Sequence, residues 1–153
     1  MSKIYISYDK VHSIMENISK KVLDVYTPDV IIAVTGGGLI PSRIIRKYIK
    51  CDILCVGVKL YNADDTRNSE IVKYQWIDKE QIKDKKILII DEVDDTRTTI
   101  AYVIRELYKF DPKKIGVGII NNKLKEKTTE IPDYCSYFIG ENTPDKWIVY
   151  PWE

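Results

Sequence analysis

Apolar and polar positions along this chain fall into two alternating patterns, short β-branched runs and longer stretches with a three-to-four-residue period. Ser7 or Asp9 can cap a first helix, because Val11, Ile14, Ile18, Val22 and Val25 recur at helical steps after them. Residues 29–35 form a β-branched run that reads as a buried strand, and it ends in Gly36-Gly37-Gly38. Pro41 then sits near the first turn of a second helix with Ile44, Ile45, Tyr48 and Ile49 on one face. Residues 52–60 read as the next strand. Residues 61–80 break the pattern with charges and the aromatics Tyr61, Tyr74 and Trp76, and are expected to be a flexible excursion. A strand over 87–91 leads into a helix carrying Ile100, Val103, Ile104 and Leu107. Another strand covers 115–120, a charged connector runs from Lys123 to Pro132, and short strand-like pieces lie near Tyr137 and Trp147.

This alternation predicts one α/β domain over 1–153, built on a central, mostly parallel sheet flanked by helices with right-handed crossovers. Such sheets bind ligands beyond the carboxyl ends of their strands. The Gly36 loop, the excursion from residue 61, the turn after Asp91 and the Lys123 connector all leave strands at that rim.

The most informative stretch is 86–99, Lys-Ile-Leu-Ile-Ile-Asp-Glu-Val-Asp-Asp-Thr-Arg-Thr-Thr. A buried strand delivers two adjacent carboxylates, Asp91 and Glu92. Asp95 then opens a hydroxyl-rich turn with Thr96, Thr98 and Thr99, and a helix follows at once. Hydroxyls and backbone N–H groups at a helix start hold a phosphate dianion, and the neighbouring acids suit the two hydroxyls of a ribose ring. A plain strand-to-helix turn with solvated acids is the bland alternative.

This segment resembles the phosphoribosyl-pyrophosphate (PRPP) motif of the type I phosphoribosyltransferases, in which an apolar strand runs into two acids and an Asp-Thr-Gly-x-Thr phosphate loop. Here the loop reads Asp95-Thr96-Arg97-Thr98-Thr99, with Arg97 where most members carry glycine. That variant is similar to the fungal hypoxanthine-guanine enzymes. The resemblance implies the type I fold with a small hood, Asp95 as catalytic base, and Asp91, Glu92 and residues 95–99 on the ribose and its 5-phosphate.

The same resemblance makes Thr35-Gly36-Gly37-Gly38 the pyrophosphate loop and places Tyr61 on the mobile hood loop, with Leu60 where serine is frequent. Taken alone, three glycines serve many turns. At the purine end, Lys123 aligns with the lysine that donates to O6 of a 6-oxopurine, a preference that disfavours adenine. The ending 144–153, Pro-Asp-Lys-Trp-Ile-Val-Tyr-Pro-Trp-Glu, matches xanthine-guanine and fungal forms. Trp147 would stack on the base and the Ile148 backbone would read its edge, whereas Trp152 suits core packing. The resemblance further implies Mg²⁺, reached by Asp91 and Glu92 through PRPP, with Glu153 as a possible additional acid, and a homodimer or homotetramer.

Composition removes other classes. Lys and Arg number 24 against 23 acids, a formal net charge of +1, so no broad field advertises nucleic acid or membrane. No apolar stretch is long enough for a bilayer, and Met1-Ser2-Lys3 leads into no secretory segment. Cys51, Cys55 and Cys135 read as buried thiols in a reducing cytosol, and a cytoplasmic location is expected. His12 is the sole histidine, which excludes a multi-histidine metal centre and leaves it on a helix surface. The function implied is purine salvage, transfer of the 5-phosphoribosyl group from PRPP to hypoxanthine, guanine or xanthine. The alternatives are a PRPP- or nucleotide-sensing regulator of the same fold without turnover, and a transferase for xanthine alone, adenine or a modified base.

Overall fold

The computed structural model describes residues 2–61 and 70–153. Its elements run β1 (Lys3–Tyr5), α1 (Tyr8–Leu23), β2 (Val30–Val34), α2 (Leu39–Ile45), β3 (Asp52–Tyr61), β4 (Glu70–Gln75), β5 (Lys86–Asp94), α3 (Thr98–Tyr108), β6 (Lys114–Leu124), β7 (Cys135–Pro144) and β8 (Trp147–Val149). Six strands form the main sheet in the order β4-β3-β2-β5-β6-β7. Every neighbouring pair is parallel except β3–β4. Strand order turns at β2, which has β3 on one side and β5 on the other. The loops after β2 and β5 therefore leave the same rim side by side, at a topological switch point.

Burial explains the layers. Along β5, Ile87 and Ile89 pack with Val103, Ile104 and Leu107 of α3, while Leu88 and Ile90 pack with Ile14, Ile18 and Val22 of α1. A strand apolar on both faces is what a parallel sheet covered by helices requires. Ser7 caps α1, its Oγ accepting from Lys10 N at 3.1 Å. The helix ends at Leu23, so Val25 lies past it and is 57% exposed, unlike the other four predicted positions.

Several expectations change. Within 61–80, β4 pairs antiparallel with β3, and a 3-10 turn covers Lys79–Gln81. The excursion is thus partly an ordered edge hairpin, whose exposed side chains hide its strand character from periodicity. Tyr61 ends β3; its side chain, like residues 62–69, lies outside the described residues. β6 runs to Leu124, so Lys123 sits within a strand rather than after one. Its continuation uses the buried polar Asn121 and Asn122, which pair with Val93 and Asp94 of β5. β7 is a full ten-residue strand. A second sheet, β1 parallel to β8, joins the two ends of the chain. Cys135 is buried as expected, but Cys51 and Cys55 are only half-buried. His12 is exposed on α1. Among the described residues no helix is long and apolar enough to cross a membrane.

Candidate active site

The acids are delivered inside β5, which continues to Asp94. Asp91 is buried and its carboxyl is pushed well above the usual range, by burial first and then by the charge of Glu92. Burial also raises Glu92, and the charge of Glu153 adds to it, against a hydrogen bond with Asp91. Among the described residues no cationic side chain pairs with either acid. Gly37 of the Gly36-Gly37-Gly38 turn packs against the Glu92 carboxyl, and Gly38 against the backbone of Ile90 and Val34. A Cβ at Gly37 would fall 0.8 Å from Glu92 Oε2, and one at Gly38 would fall 2.3 Å from the Ile90 carbonyl oxygen. Gly38 is needed for this close approach to fixed backbone. Thr35, joined to Gly36 by a cis peptide, shares a hydrogen bond between its hydroxyl and that of Tyr74 on β4.

The phosphate-type loop crosses from β5 to α3 through Arg97, whose φ of 74° lies in the left-handed region. Its guanidinium turns onto Asp94, Nε donating to Oδ2 at 2.9 Å, and lies 5.2 Å from the Tyr137 ring centroid. Tyr137 also donates to Asp94 Oδ2. The Asp94 side chain is fully buried, an anchor beneath the loop. Thr96 and Thr98 hydroxyls are 3.1 Å apart. The segment after β6 lies along this loop. Lys127 Nζ donates to the carbonyl oxygens of Asp94, Asp95 and Lys123 at 2.9, 2.7 and 2.8 Å. Thr128 N donates to Thr96 O at 3.0 Å, and Thr128 and Thr98 hydroxyls share a 2.7 Å bond.

Two adjoining cavities result. One, of about 240 Å³, is lined by Thr35, Gly36, Gly37, Asp91 and residues 95–97 and 99. The other, of about 270 Å³, is lined by Lys123, Trp147, Ile148, Tyr150 and Glu153. Glu92 and Asp95 line both. Trp147 is 64% exposed, an open aromatic face, whereas Trp152 stacks on Tyr150 with centroids 5.0 Å apart. Tyr150 donates to Asn121 Oδ1 at 2.8 Å and to Glu92 O at 3.2 Å, fastening the C-terminal segment to β5 and β6. Lys125 Nζ lies 2.9 Å from Asp95 Oδ1 and Lys123 Nζ 3.9 Å from it. Partial burial works to raise the Asp95 carboxyl, but the Lys125 hydrogen bond and the charges of Lys123, Lys125 and Lys127 outweigh it and hold it low.

Lys125, Lys127, Tyr137 and Tyr150 escaped the sequence reading. The first two stand in a charged connector that looks solvated; the signal was the alternation of Lys123, Lys125 and Lys127, which turns one side of the connector toward the loop.

The comparisons agree with this geometry. The family profile described as Phosphoribosyl transferase domain matches residues 2–153. A hypoxanthine-guanine phosphoribosyltransferase of Schizosaccharomyces pombe is 36% identical, over 99% of this chain and 89% of the relative. Xanthine phosphoribosyltransferase 1 of Saccharomyces cerevisiae is 35% identical, over 99% and 90%. Among solved structures, a hypothetical protein of Neisseria gonorrhoeae with bound ppGpp superposes with a TM-score of 0.92 at 35% identity, covering 99% of this chain and 89% of that one. A purine phosphoribosyltransferase of Pyrococcus horikoshii gives 0.83 at 33%, covering 100% and 95%. Fold, motif placement and whole-length similarity together make this chain a member of the phosphoribosyltransferase family.

Proposed function

We propose that this protein transfers the 5-phosphoribosyl group of PRPP to a 6-oxopurine, giving a nucleoside monophosphate and pyrophosphate in purine salvage. The observation that carries the reading is the pair of adjoining cavities that share Asp95 and Glu92, one walled by the hydroxyl loop and the other by Lys123 and Trp147.

Residues 96–99 would hold the 5-phosphate through hydroxyls and loop amides. Asp91 and Glu92 would hold the ribose hydroxyls, and their charge favours the positive sugar that forms as the C1–oxygen bond breaks. The turn at residues 35–38 would receive the pyrophosphate on its backbone amides. In the base cavity, Trp147 stacks on the purine, worth about 1–3 kcal/mol in comparable contacts. Lys123 donates to O6, and the Ile148 backbone reads the adjacent edge. Asp95, kept ionised by its lysines, accepts the N7 proton in a charge-assisted hydrogen bond. A purine nitrogen then attacks C1 as pyrophosphate leaves.

The acid pair fits a magnesium ion. Asp91, buried, and Glu92, half-buried, have no cationic partner among the described residues and are hard oxygen donors of the kind Mg²⁺ takes together with substrate phosphates. Mg²⁺ supplies charge neutralisation of the departing pyrophosphate. Asp91 and Glu92 would reach it through PRPP, while Glu153 lines the second cavity. The described residues hold no group of three or more acids, cysteines or histidines placed to bind a metal ion. The same reading implies a homodimer or homotetramer in the cytoplasm, and sedimentation velocity of the purified chain tests the assembly.

The test is nucleotide formation from PRPP and Mg²⁺ with hypoxanthine, guanine, xanthine and adenine in parallel, beside Asp95→Asn. Turnover with a 6-oxopurine that falls about 10²–10⁴-fold in the variant is expected. No turnover with any base, alongside PRPP binding, would move the sensing alternative ahead. Because the Neisseria protein carries ppGpp, a guanine nucleotide, ppGpp is included as a competitor. A pure sensor needs no proton acceptor at Asp95, yet Asp95 stands with Lys123 and Trp147 around one cavity.

A further inference from the structure

The connector between β6 and β7 does more than join strands. Side chains at 123, 125, 127 and 129 are each partly buried, while those at 124, 126, 128 and 130 are exposed. The inward set meets the phosphate-type loop or the helix behind it at successive points. Lys125 reaches Asp95, Lys127 reaches the carbonyls of Asp94 and Asp95, and Thr129 accepts from Arg105 of α3 at 2.9 Å. Backbone bonds add to this, Thr128 N donating to Thr96 O.

Lys127 is the centre of the arrangement. Its ammonium has three protons and three carbonyl acceptors within 2.9 Å. Two of those carbonyls belong to the loop that carries Asp95, and the third is that of Lys123. The side chain is only 12% exposed, and Asp94 Oδ1 lies 3.7 Å away as counter-charge. A compact ammonium suits three acceptors grouped around one point, whereas a planar guanidinium does not. Nothing in this arrangement brings the Lys127 side chain into either cavity lining.

We infer that Lys127 is a positioning residue of the transferase, a three-carbonyl staple that fixes the Asp95 carboxylate relative to the Lys123 ammonium. The inference rests on the reaction proposed above. In that reaction Asp95 and Lys123 must contact N7 and O6, neighbouring positions on one rigid purine, so their separation is set by the substrate. The two residues come from different strands, β5 and β6, and flexible side chains alone leave that separation loose. The staple supplies the constraint through the backbone. It also joins the ribose-phosphate loop to the base cavity, so ordering of the loop by PRPP is felt at Lys123.

The test compares native chain, Lys127→Met and Lys127→Arg in steady-state kinetics with PRPP and guanine. Thermal unfolding and calorimetric binding of ribose 5-phosphate accompany each. Lys127→Met, nearly isosteric and uncharged, should stay folded and bind ribose 5-phosphate within about threefold of native, yet lose about 10²-fold in kcat, the cost of a misplacement near 1 Å. The acid limb of its kcat/KM profile should move up, because one of the charges holding Asp95 low is gone. Lys127→Arg keeps the charge and should restore the acid limb without restoring kcat. Should Lys127→Met fail to fold, Lys127→Arg decides, since native kcat there removes the need for a three-way staple. Equal kcat in a folded Lys127→Met overturns the inference while leaving the transferase reading intact. A native chain that makes no nucleotide overturns the transferase reading itself, and this inference with it.

Discussion

Replacing Arg97 by alanine and by glycine separates two opposing contributions at one position. Arg97 holds φ at 74°, a conformation that costs an L-residue about 1–2 kcal/mol. Its guanidinium pairs with Asp94, whose side chain is fully buried, at 2.9 Å. Removing one partner of a buried pair costs about 3–5 kcal/mol. Here the Tyr137 hydroxyl and Lys127 still serve Asp94, so the lower end, about 3 kcal/mol, applies to Arg97→Ala. Glycine loses the same pair but recovers the backbone strain of about 1–2 kcal/mol. It also loosens the unfolded chain, at about 0.4–1 kcal/mol. Arg97→Gly should therefore be destabilised by about 2 kcal/mol and Arg97→Ala by about 3. The corresponding losses in Tm are about 4–8 °C and 6–12 °C. Urea unfolding followed by tryptophan fluorescence measures the difference. A glycine variant as stable as the native chain would limit the Asp94 pair to about 1 kcal/mol, the strain recovered less the unfolded-chain term, and refute the value of about 3 kcal/mol assigned to it. An alanine variant at least as stable as the glycine one would show that the left-handed backbone is not imposed by the fold. Because the guanidinium faces Asp94 and Tyr137, Arg97→Gly should retain turnover, and complete loss would mean that it reaches substrate.

The two inner glycines of the pyrophosphate-type loop should respond differently. Gly38→Ala meets backbone oxygens of Ile90 and Val34 at 2.3 and 2.6 Å, atoms that cannot move aside, and should lower stability by 3 kcal/mol or more, about the upper range of overpacking. Gly37→Ala meets only the end of the Glu92 side chain, so the fold should survive while PRPP binding by calorimetry weakens. The acid pair also predicts a pH dependence. A carboxyl whose folded pKa is raised binds its proton more tightly in the folded state, so its contribution to stability is present at low pH and lost as pH rises. The window runs from the ordinary carboxylate value near 4 up through the raised value of Asp91. The stability difference between native and Asp91→Asn, measured by urea unfolding across that range, should shift steadily toward the variant as pH rises. A difference that stays flat would contradict the burial argument.

Where the chemistry sits was legible in the sequence because local rules govern it. Consecutive residues at 86–99 carry strand, acids, hydroxyls and helix start within one continuous segment, and continuous apolar runs or period-3.6 burial mark the elements on either side. The helices over Ile14–Val22 and Ile100–Leu107 follow from the same kind of pattern. Short or polar strands were less legible. β1 is three residues long, too short for periodicity, and β8, which reads as a strand-like piece near Trp147, has in β1 a partner across nearly the whole chain that only folding chooses. The end of β6 passed unseen because Asn121 and Asn122 look like loop residues until Tyr150 and Asn142 supply their hydrogen bonds.

The role of Arg97 was the clearest case of a question the sequence poses and the tertiary structure answers. Sequence shows an L-residue where a glycine is usual, and the strain follows from chirality alone. Only the fold brings Tyr137 of β7 beneath it and, with Lys127 of the connector, encloses Asp94, making the strained residue the lid of a buried charge cluster. Likewise, sequence can place Asp95 and Lys123 at the ends of two strands but not set the distance between their groups. That distance depends on which strands are neighbours and on the backbone hydrogen bonds between their loops, and both are decided when the sheet assembles.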